Sequence, residues 1–289
     1  MNSTQSSRTP QANVYTDDIR WQVVGSITPC MALALAALTM RLASRHIKRS
    51  KLIISDYLAI GSLVFSWIAS LLVVTSVLFG LGLHIELVPL PKVRLLLINI
   101  FAAEIHYGIG FTLIKLSIIT LYRQLFPTRF MLASTKILAV IIIMWGIAVV
   151  LVSVFNCNPI RGFWDYILPD YDVPTKCVNT RWFFIGISIP NIITDALLLC
   201  LPLRDVWGLQ LPWNTKIIIS GLFALGAFVI AASCMRIYSM ISLDSSDPTW
   251  TFVAGAIWSA VEMQIGVVCC CLPTVGPVLA WLKQKFIIQ

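Results

Sequence analysis

Charged residues are scarce in this sequence. Asp, Glu, Lys and Arg make up 12% of its 289 residues, whereas a soluble domain carries about 25%. Because 58% of the residues are hydrophobic and the mean hydropathy is +0.86, a soluble globular protein is excluded. The net charge of +8 comes from basic residues in short loops between apolar stretches, so nucleic acid is not an expected partner.

The sequence also has few of the residues that common catalytic and metal sites require. It has three histidines, of which His106 lies well inside an apolar stretch. A metal hydrolase needs several converging His or carboxylate ligands, and a nucleophilic serine is often marked by Gly-x-Ser-x-Gly, which does not occur here. We therefore expect no metal and no cofactor, and an enzyme is the less favoured class.

Long apolar segments are abundant, and there are seven of them. A helix rises about 1.5 Å per residue, so about 20 apolar residues cross a hydrocarbon core about 30 Å thick. No internal repeat of the kind found in transporters is visible. We predict an all-α fold, a bundle of seven transmembrane helices. The predicted spans are Trp21–Leu42, Asp56–Phe79, Arg94–Tyr122, Leu132–Phe155, Trp182–Leu203, Thr215–Ile241 and Trp250–Leu272.

The distribution of basic residues predicts how the bundle is oriented. Of the 21 lysines and arginines, twelve fall on one side of the predicted membrane, Arg41 among them, seven on the other, and two inside spans. Of the 13 acids, only Asp56 and Asp205 are assigned to the first side. The positive-inside rule places that side in the cytoplasm, with the N-terminus outside and the C-terminus inside.

The predicted domain organisation follows from these spans. Residues 1–20 form a short extracellular tail, residues 21–282 the seven-helix membrane domain and residues 283–289 a short cytoplasmic tail. Residues 1–19 are polar and lack the apolar core of a cleavable signal peptide. Asn2 begins an Asn-Ser-Thr glycosylation sequon on the predicted outer side, which is a weak signal because such tripeptides are common by chance.

Two cysteines flank the longest predicted outer loop. Cys157 and Cys177 lie at the ends of the loop between the fourth and fifth spans, on the oxidising side of the membrane. We predict a disulfide that holds the loop over the mouth of the bundle. Two free thiols are the alternative.

Five ionisable side chains fall inside the predicted spans, where a charge is costly and usually faces the bundle interior. They are Glu104, Lys115, Asp195, Arg236 and Glu262. We predict that Lys115 pairs with Asp195 and that Arg236 and Glu262 both face the bundle interior, where either Glu104 or Glu262 could pair with Arg236. The set forms either a ligand site or switch, or a static lock between helices. An acid-triggered membrane cyclase is a further alternative, with Glu104, Asp195 or Glu262 as the proton donor.

Several short motifs occur in a specific order along nearly the whole chain. They are Asp56-Tyr57-Leu58, Gly80-Leu81-Gly82-Leu83-His84, Lys115-Leu116-Ser117, Tyr122-Arg123, Phe155-x-Cys157-x-Pro159 with Trp164 and Cys177, Asp195 with Leu201-Pro202, Ser233 with Arg236, and Thr249-Trp250 with Trp258, Glu262, Gly266 and Cys271-x-Pro273. Each motif is weak alone. Together they resemble the fungal rhodopsin-like family of seven-helix integral membrane proteins.

This resemblance implies a fold that looks like that of G-protein-coupled receptors. Some members of the family look like signalling receptors of pathogenic moulds, and others belong to secondary-metabolite gene clusters. We expect a receptor-like protein that senses a small ligand. The alternative is a membrane component of a biosynthetic cluster that acts as an enzyme, a scaffold or an export aid. The expected partners are a small molecule and the lipid bilayer of the plasma membrane or an endomembrane, and the question of a G-protein partner stays open.

Two departures from the receptor-like members favour the cluster-associated alternative. The sequence has no cysteine-rich domain before the first span and no long tail after the seventh. Retinal is not expected either, despite the family's name. A retinal Schiff base needs a lysine amine inside the bundle, typically on the last helix. The span Trp250–Leu272 contains no lysine, which leaves Lys115 as the buried lysine of the predicted bundle.

Overall fold

The computed structural model describes residues 18–125, 127–168, 171–202, 213–243 and 246–274. Within these ranges the chain forms eight α-helices and one pair of two-residue strands. The helices are α1 Arg20–Ile47, α2 Ile54–Ser76, α3 Leu90–Leu125, α4 Arg129–Val154, α5 Gly162–Asp165, α6 Thr180–Cys200, α7 Trp213–Ile241 and α8 Pro248–Cys271. The antiparallel strands are β1 Cys157–Asn158 and β2 Lys176–Cys177, and short 3₁₀ turns cover Val77–Phe79, Ile85–Leu87 and Leu272–Thr274.

Seven of these helices are long and apolar enough to cross a membrane, and the four-residue α5 is the exception. The predicted all-α bundle of seven spans is therefore confirmed. The main difference concerns α3, which has 36 residues and extends beyond the predicted Arg94–Tyr122 at both ends. At about 1.5 Å per residue this helix is about 54 Å long, so it exceeds the thickness of a hydrocarbon core.

Helix α4 has apolar side chains both on the face that packs in the protein core and on the exposed face. Its inner face buries Leu138 and Ile142 in the protein core. Its outer face leaves Ile137, Val140 and Met144 more than 60% exposed, at the spacing of one helical stripe. An apolar stripe of this kind is stable against lipid tails, where every backbone polar group must be satisfied within the helix.

Helices α3 and α8 form the centre of the bundle. Helix α3 packs against α2, α4, α6 and α8, and α8 packs against α1, α2, α3 and α7. In the most apolar stretch of α8, 67% of the residues are buried, against at most 39% in the other spans. Helices α3 and α4 approach closely at Gly108, where an added Cβ would lie 2.8 Å from Val149 Cγ1. Small residues at such crossings allow helices to pack in membranes.

One end of the bundle carries the Cys157–Cys177 disulfide, and we call it the disulfide end. The predicted bond is present, with a Cα–Cα distance of 4.0 Å. At the same end the loop after α2 turns through Gly82, whose φ of 93° favours glycine. Gly82 N–H donates to Thr249 O at 3.0 Å, and Gly82 O accepts from Ile19 N at 3.3 Å. These bonds hold the residue before α1 and the first turn of α8 against the loop.

The opposite end of the bundle, which we call the basic end, contains a buried ion pair between α1 and α2. Arg41 and Asp56 lie near the ends of two predicted spans and were counted among the charges of this side, and the structure buries both side chains completely. Arg41 Nε lies 2.9 Å from Asp56 Oδ1, and Arg45 Nε lies 3.1 Å from Asp56 Oδ2. The pairing neutralises both charges, so both side chains can be buried inside the bundle.

Candidate functional site

A cavity of about 440 Å³ lies inside the disulfide end of the bundle. Its walls come from α3, α6, α8 and the connection between α4 and α6. Most of the lining is apolar, and it includes five phenylalanines, Phe101, Phe163, Phe183, Phe184 and Phe252. Small-molecule sites are typically concave, mostly apolar and about 300–1,000 Å³ in volume. The cavity therefore has the size and the lining of a site for a small organic molecule.

The roof of this cavity is the connection between α4 and α6. The disulfide pins its two ends, and both Cys157 and Cys177 line the cavity. The short helix α5 is tied to α3 by an ion pair, with Arg94 Nε 2.6 Å from Asp165 Oδ1. Phe101 of α3 also meets Trp164 edge to face at 5.4 Å. The roof is thus attached to the bundle by covalent, ionic and aromatic contacts.

Two polar side-chain atoms of the cavity lining lack a hydrogen-bond partner among the described residues. They are Ser153 Oγ and Asn156 Oδ1, and both residues are buried and line the cavity. A buried polar atom without a partner costs about 1–3 kcal/mol. These atoms offer hydrogen-bonding positions to a bound molecule or to water.

Glu104 lies at the floor of the cavity. It is the lining residue of α3 that is farthest from the disulfide end, about 21 Å along the helix from Leu90. No hydrogen bond or ion pair from a described side chain reaches its carboxylate, and Arg236 pairs with Glu262 instead. Glu104 also lines a smaller cavity of about 30 Å³, together with Tyr107. The acid therefore separates the large cavity from the polar centre of the bundle.

Glu262 of α8 is the hub of that polar centre. Its side chain is fully buried, and Arg236 Nε lies 3.3 Å from Glu262 Oε2. Asn191 Nδ2 donates to Glu262 Oε1 at 2.9 Å, Tyr107 Oη donates to Oε2 at 3.3 Å, and Ser233 Oγ donates to Oε1. One carboxylate thus joins α3, α6, α7 and α8. Of the two partners considered for Arg236, the structure places Glu262 in the ion pair.

Lys115 of α3 extends this network towards the basic end. Its Nζ lies 3.1 Å from Asp195 Oδ1, and it donates to Asn191 Oδ1 and Thr194 Oγ1, each at 2.7 Å. The ammonium also lies 5.1 Å from the ring centroid of Trp145, within the range of a cation–π contact. Asn191 connects the two ion pairs, since it accepts from Lys115 and donates to Glu262.

The five predicted intramembrane residues thus take different positions. Lys115, Asp195, Arg236 and Glu262 form two adjoining ion pairs, whereas Glu104 lies on the cavity side of them. Of the three acids considered as proton donors, Glu104 alone lines the large cavity within the described part of the chain. Asp195 lines a separate cavity of about 50 Å³.

Sequence reasoning missed two neutral members of the network, Tyr107 and Asn191. Tyr107 lies three residues after Glu104, and Asn191 lies four residues before Asp195, so each shares a helical face with a predicted site residue. That spacing was the signal in the sequence that could have identified both residues. The weak glycosylation prediction at Asn2 and the cytoplasmic tail predicted for residues 283–289 lie outside the described residues.

Seven apolar helices around a buried polar network define a multi-pass integral membrane protein. Residues 40–281 match the family model described as the fungal rhodopsin domain, so the chain belongs to the fungal rhodopsin domain family. The family resemblance inferred from the motifs is thus confirmed.

Three similar proteins come from fungi. The satratoxin biosynthesis SC1 cluster protein 4 of Stachybotrys chartarum is 29% identical over 174 residues, 60% of this chain and 62% of the relative. The polyenoic acids biosynthesis gene cluster protein Ba17b of Metarhizium anisopliae is 26% identical over 263 residues, 86% of this chain and 70% of the relative. The wortmanamides biosynthesis cluster protein C of Talaromyces wortmannii is 27% identical over 237 residues, 80% of this chain and 62% of the relative.

The chain spans less than two thirds of the length of two of these relatives, at 62% each. No solved structure matches the chain significantly. The names of all three relatives associate them with biosynthetic gene clusters.

Proposed function

We propose that this chain binds a small, mainly apolar molecule in the cavity at the disulfide end, as a membrane component of a fungal secondary-metabolite pathway. The observation that carries the proposal is the cavity of about 440 Å³ beneath a pinned roof. The names of the related cluster proteins support the pathway assignment.

The physical basis of binding is the burial of apolar surface. Each Å² of apolar surface removed from water contributes about 25 cal/mol, and five phenylalanines supply flat walls for such burial. The polar atoms of the lining are few and lie at its two ends, with Glu104 at the floor and Ser153 and Asn156 towards the roof. Few polar groups in an apolar site fix the orientation of a ligand.

A cavity-filling substitution tests binding directly. Leu97 lines the cavity, whereas Leu95 lies on the same helix with 43% of its surface exposed. Purified protein in lipid nanodiscs is incubated with an organic extract of the source fungus, and retained compounds are identified by mass spectrometry. We expect wild type and the matched control Leu95→Trp to retain the same compound and Leu97→Trp to lose it. Equal retention by both variants, or no retention by wild type, contradicts the proposal.

The pathway assignment has its own test in the organism. Deleting the gene is expected to remove or reroute a secondary metabolite in the profile of the culture. Re-expression of Leu95→Trp is expected to restore the profile, and re-expression of Leu97→Trp is not. An unchanged metabolite profile in the deletion strain, grown under conditions in which secondary metabolites are produced, contradicts the pathway assignment. Ligand binding is then decided by the nanodisc test alone.

A receptor function is the second candidate, and the position of Glu104 favours it. Glu104 and Tyr107 line the same small cavity, and Tyr107 donates to Glu262, which joins four helices. A ligand that contacts Glu104 would therefore act on the contacts between α6 and α7. Spin labels at the exposed Cys200 and Cys234 report that distance. A changed distance distribution with bound compound supports sensing, and an unchanged one supports binding without a switch.

A further inference from the structure

The charged lining of the large cavity is negative. Among the described residues that line it, Glu104 is the one with an ordinarily charged side chain, and none is Lys, Arg or His. An acidic ligand would place a second negative charge in the same apolar space. Like charges repel strongly where the surroundings are apolar, so a carboxylate or phosphate ligand is disfavoured.

The charges beneath the cavity are already matched one to one. Lys115 pairs with Asp195 at 3.1 Å, and Arg236 pairs with Glu262 at 3.3 Å. Glu104 is the third acid of this part of the bundle and has no cation of its own among the described residues, since Arg236 is already held by Glu262. An unmatched charge inside a membrane bundle is costly and is usually neutralised by a partner.

The rest of the lining suits a cation. Phe101 and Phe163 approach with ring centroids 5.8 Å apart, and Phe184 and Phe252 approach at 6.0 Å. All four rings line the cavity that Glu104 closes at the floor. The faces of aromatic rings attract cations, and the attraction grows when water is excluded.

We propose that the ligand of this cavity is a lipophilic amine in its ammonium form, with the cationic nitrogen paired to Glu104 and the apolar part against the phenylalanine walls. This inference rests on the proposed function, because it names the ligand class of the same cavity. The ammonium supplies a third cation for the third acid. It also places the ligand beside Tyr107 and the Arg236–Glu262 pair, where its charge competes with Arg236 for the nearby carboxylates.

The test compares matched compounds on the full chain. The probes are aryl-alkyl and long-chain primary amines, each paired with the alcohol of the same chain. Affinity is measured for protein in nanodiscs of uncharged phosphatidylcholine, after subtraction of partitioning into empty nanodiscs. We expect wild type to prefer the amine of a pair by about tenfold or more. Glu104→Gln is expected to abolish the preference while the alcohols keep their affinity within about twofold.

A matched control and a second probe keep the test decisive. Glu86 is an exposed acid at the same end that does not line the cavity, so Glu86→Gln is expected to keep the preference. If Glu104→Gln does not fold, wild type alone is tested with a trimethylammonium compound against its uncharged tert-butyl isostere. About a tenfold preference for the fixed charge supports the inference, and equal affinity overturns it.

The remaining outcomes separate this inference from the proposed function. Equal binding of amines and alcohols by wild type overturns the amine inference and leaves cavity binding in place. A preference that persists in Glu104→Gln also overturns it, because another group then selects the cation. If wild type binds no probe and retains no compound from the fungal extract, just as Leu97→Trp does, the proposed function fails and the inference fails with it.

Discussion

Lys115 Nζ lies 3.1 Å from Asp195 Oδ1 in the interior of the bundle, with the two side chains 1% and 12% exposed. The same ammonium donates to Asn191 and Thr194 on α6, so α3 and α6 are joined by several charge-assisted bonds from one side chain. Because Asn191 also donates to Glu262, the pair is continuous with the polar centre on α8.

The first prediction concerns the coupling of this pair. Asp195→Asn leaves the Lys115 charge with neutral oxygens from Asn191 and Thr194, so we expect a loss of about 3 kcal/mol in unfolding free energy, the low end for a broken buried pair. The double variant with Lys115→Met strands no charge and is expected to lose less than Asp195→Asn alone. Unfolding in detergent, monitored by circular dichroism, measures both. Additive losses would show that the two residues are not coupled.

The second prediction concerns the hub. Glu262→Gln strands the buried Arg236 and weakens the bonds from Asn191, Ser233 and Tyr107, so we expect a loss of about 3–5 kcal/mol. The control is the exposed Asp172, where Asp172→Asn is expected to change the unfolding free energy by less than about 0.5 kcal/mol. Equal melting temperatures for the two variants would mean that Arg236 pairs with Glu104 when Glu262 is neutralised.

The third prediction concerns the basic end. Asp56 accepts from Arg41 and Ile53 N and pairs with Arg45, so one carboxylate holds two arginines and the first turn of α2. Asp56→Asn leaves Arg41 buried without its counterion, and we expect a loss of about 3–5 kcal/mol. Asp172→Asn, at an exposed position, is the control. Equal folded yields and melting temperatures for the two variants would show that the Asp56 ion pairs do not stabilise the bundle.

The fourth prediction concerns the roof. Replacing both Cys157 and Cys177 by Ser opens a loop of sequence separation 20, which costs about 3 kcal/mol in the chain-entropy model. Both cysteines lie outside the seven long helices, so helical content is expected to stay while ligand affinity falls. Cys200→Ser, which changes an exposed free cysteine, is the control. Undiminished affinity in the double variant would show that the roof does not contribute to binding.

The fifth prediction concerns orientation. The excess of basic residues at one end predicts that the disulfide end faces outward and the basic end faces the cytoplasm. Reporter fusions at the two termini, together with protease protection of sealed vesicles, measure this. We expect the N-terminal reporter outside and the C-terminal reporter inside. Both reporters on one side would contradict the odd number of spans.

Much of the fold could be predicted because the relevant signals are local in the chain. A run of apolar residues long enough to cross a bilayer predicts a helix wherever it occurs, and seven such runs predict seven spans. The disulfide could also be predicted, because Cys157 and Cys177 flank one loop. Family membership followed from the order of short motifs and is matched over residues 40–281.

The sequence by itself therefore determined that this is a seven-helix membrane protein with costly ionisable groups inside it. The tertiary structure decided which of those groups meet. Helical periodicity places residues on one face of a helix, but the neighbour that this face meets depends on helix packing. For that reason Glu262 rather than Glu104 holds Arg236, and Glu104 is left at the floor of a cavity. Packing likewise buried Arg41 and Asp56, because two opposite charges can enter an apolar interior as a pair although neither is stable there alone.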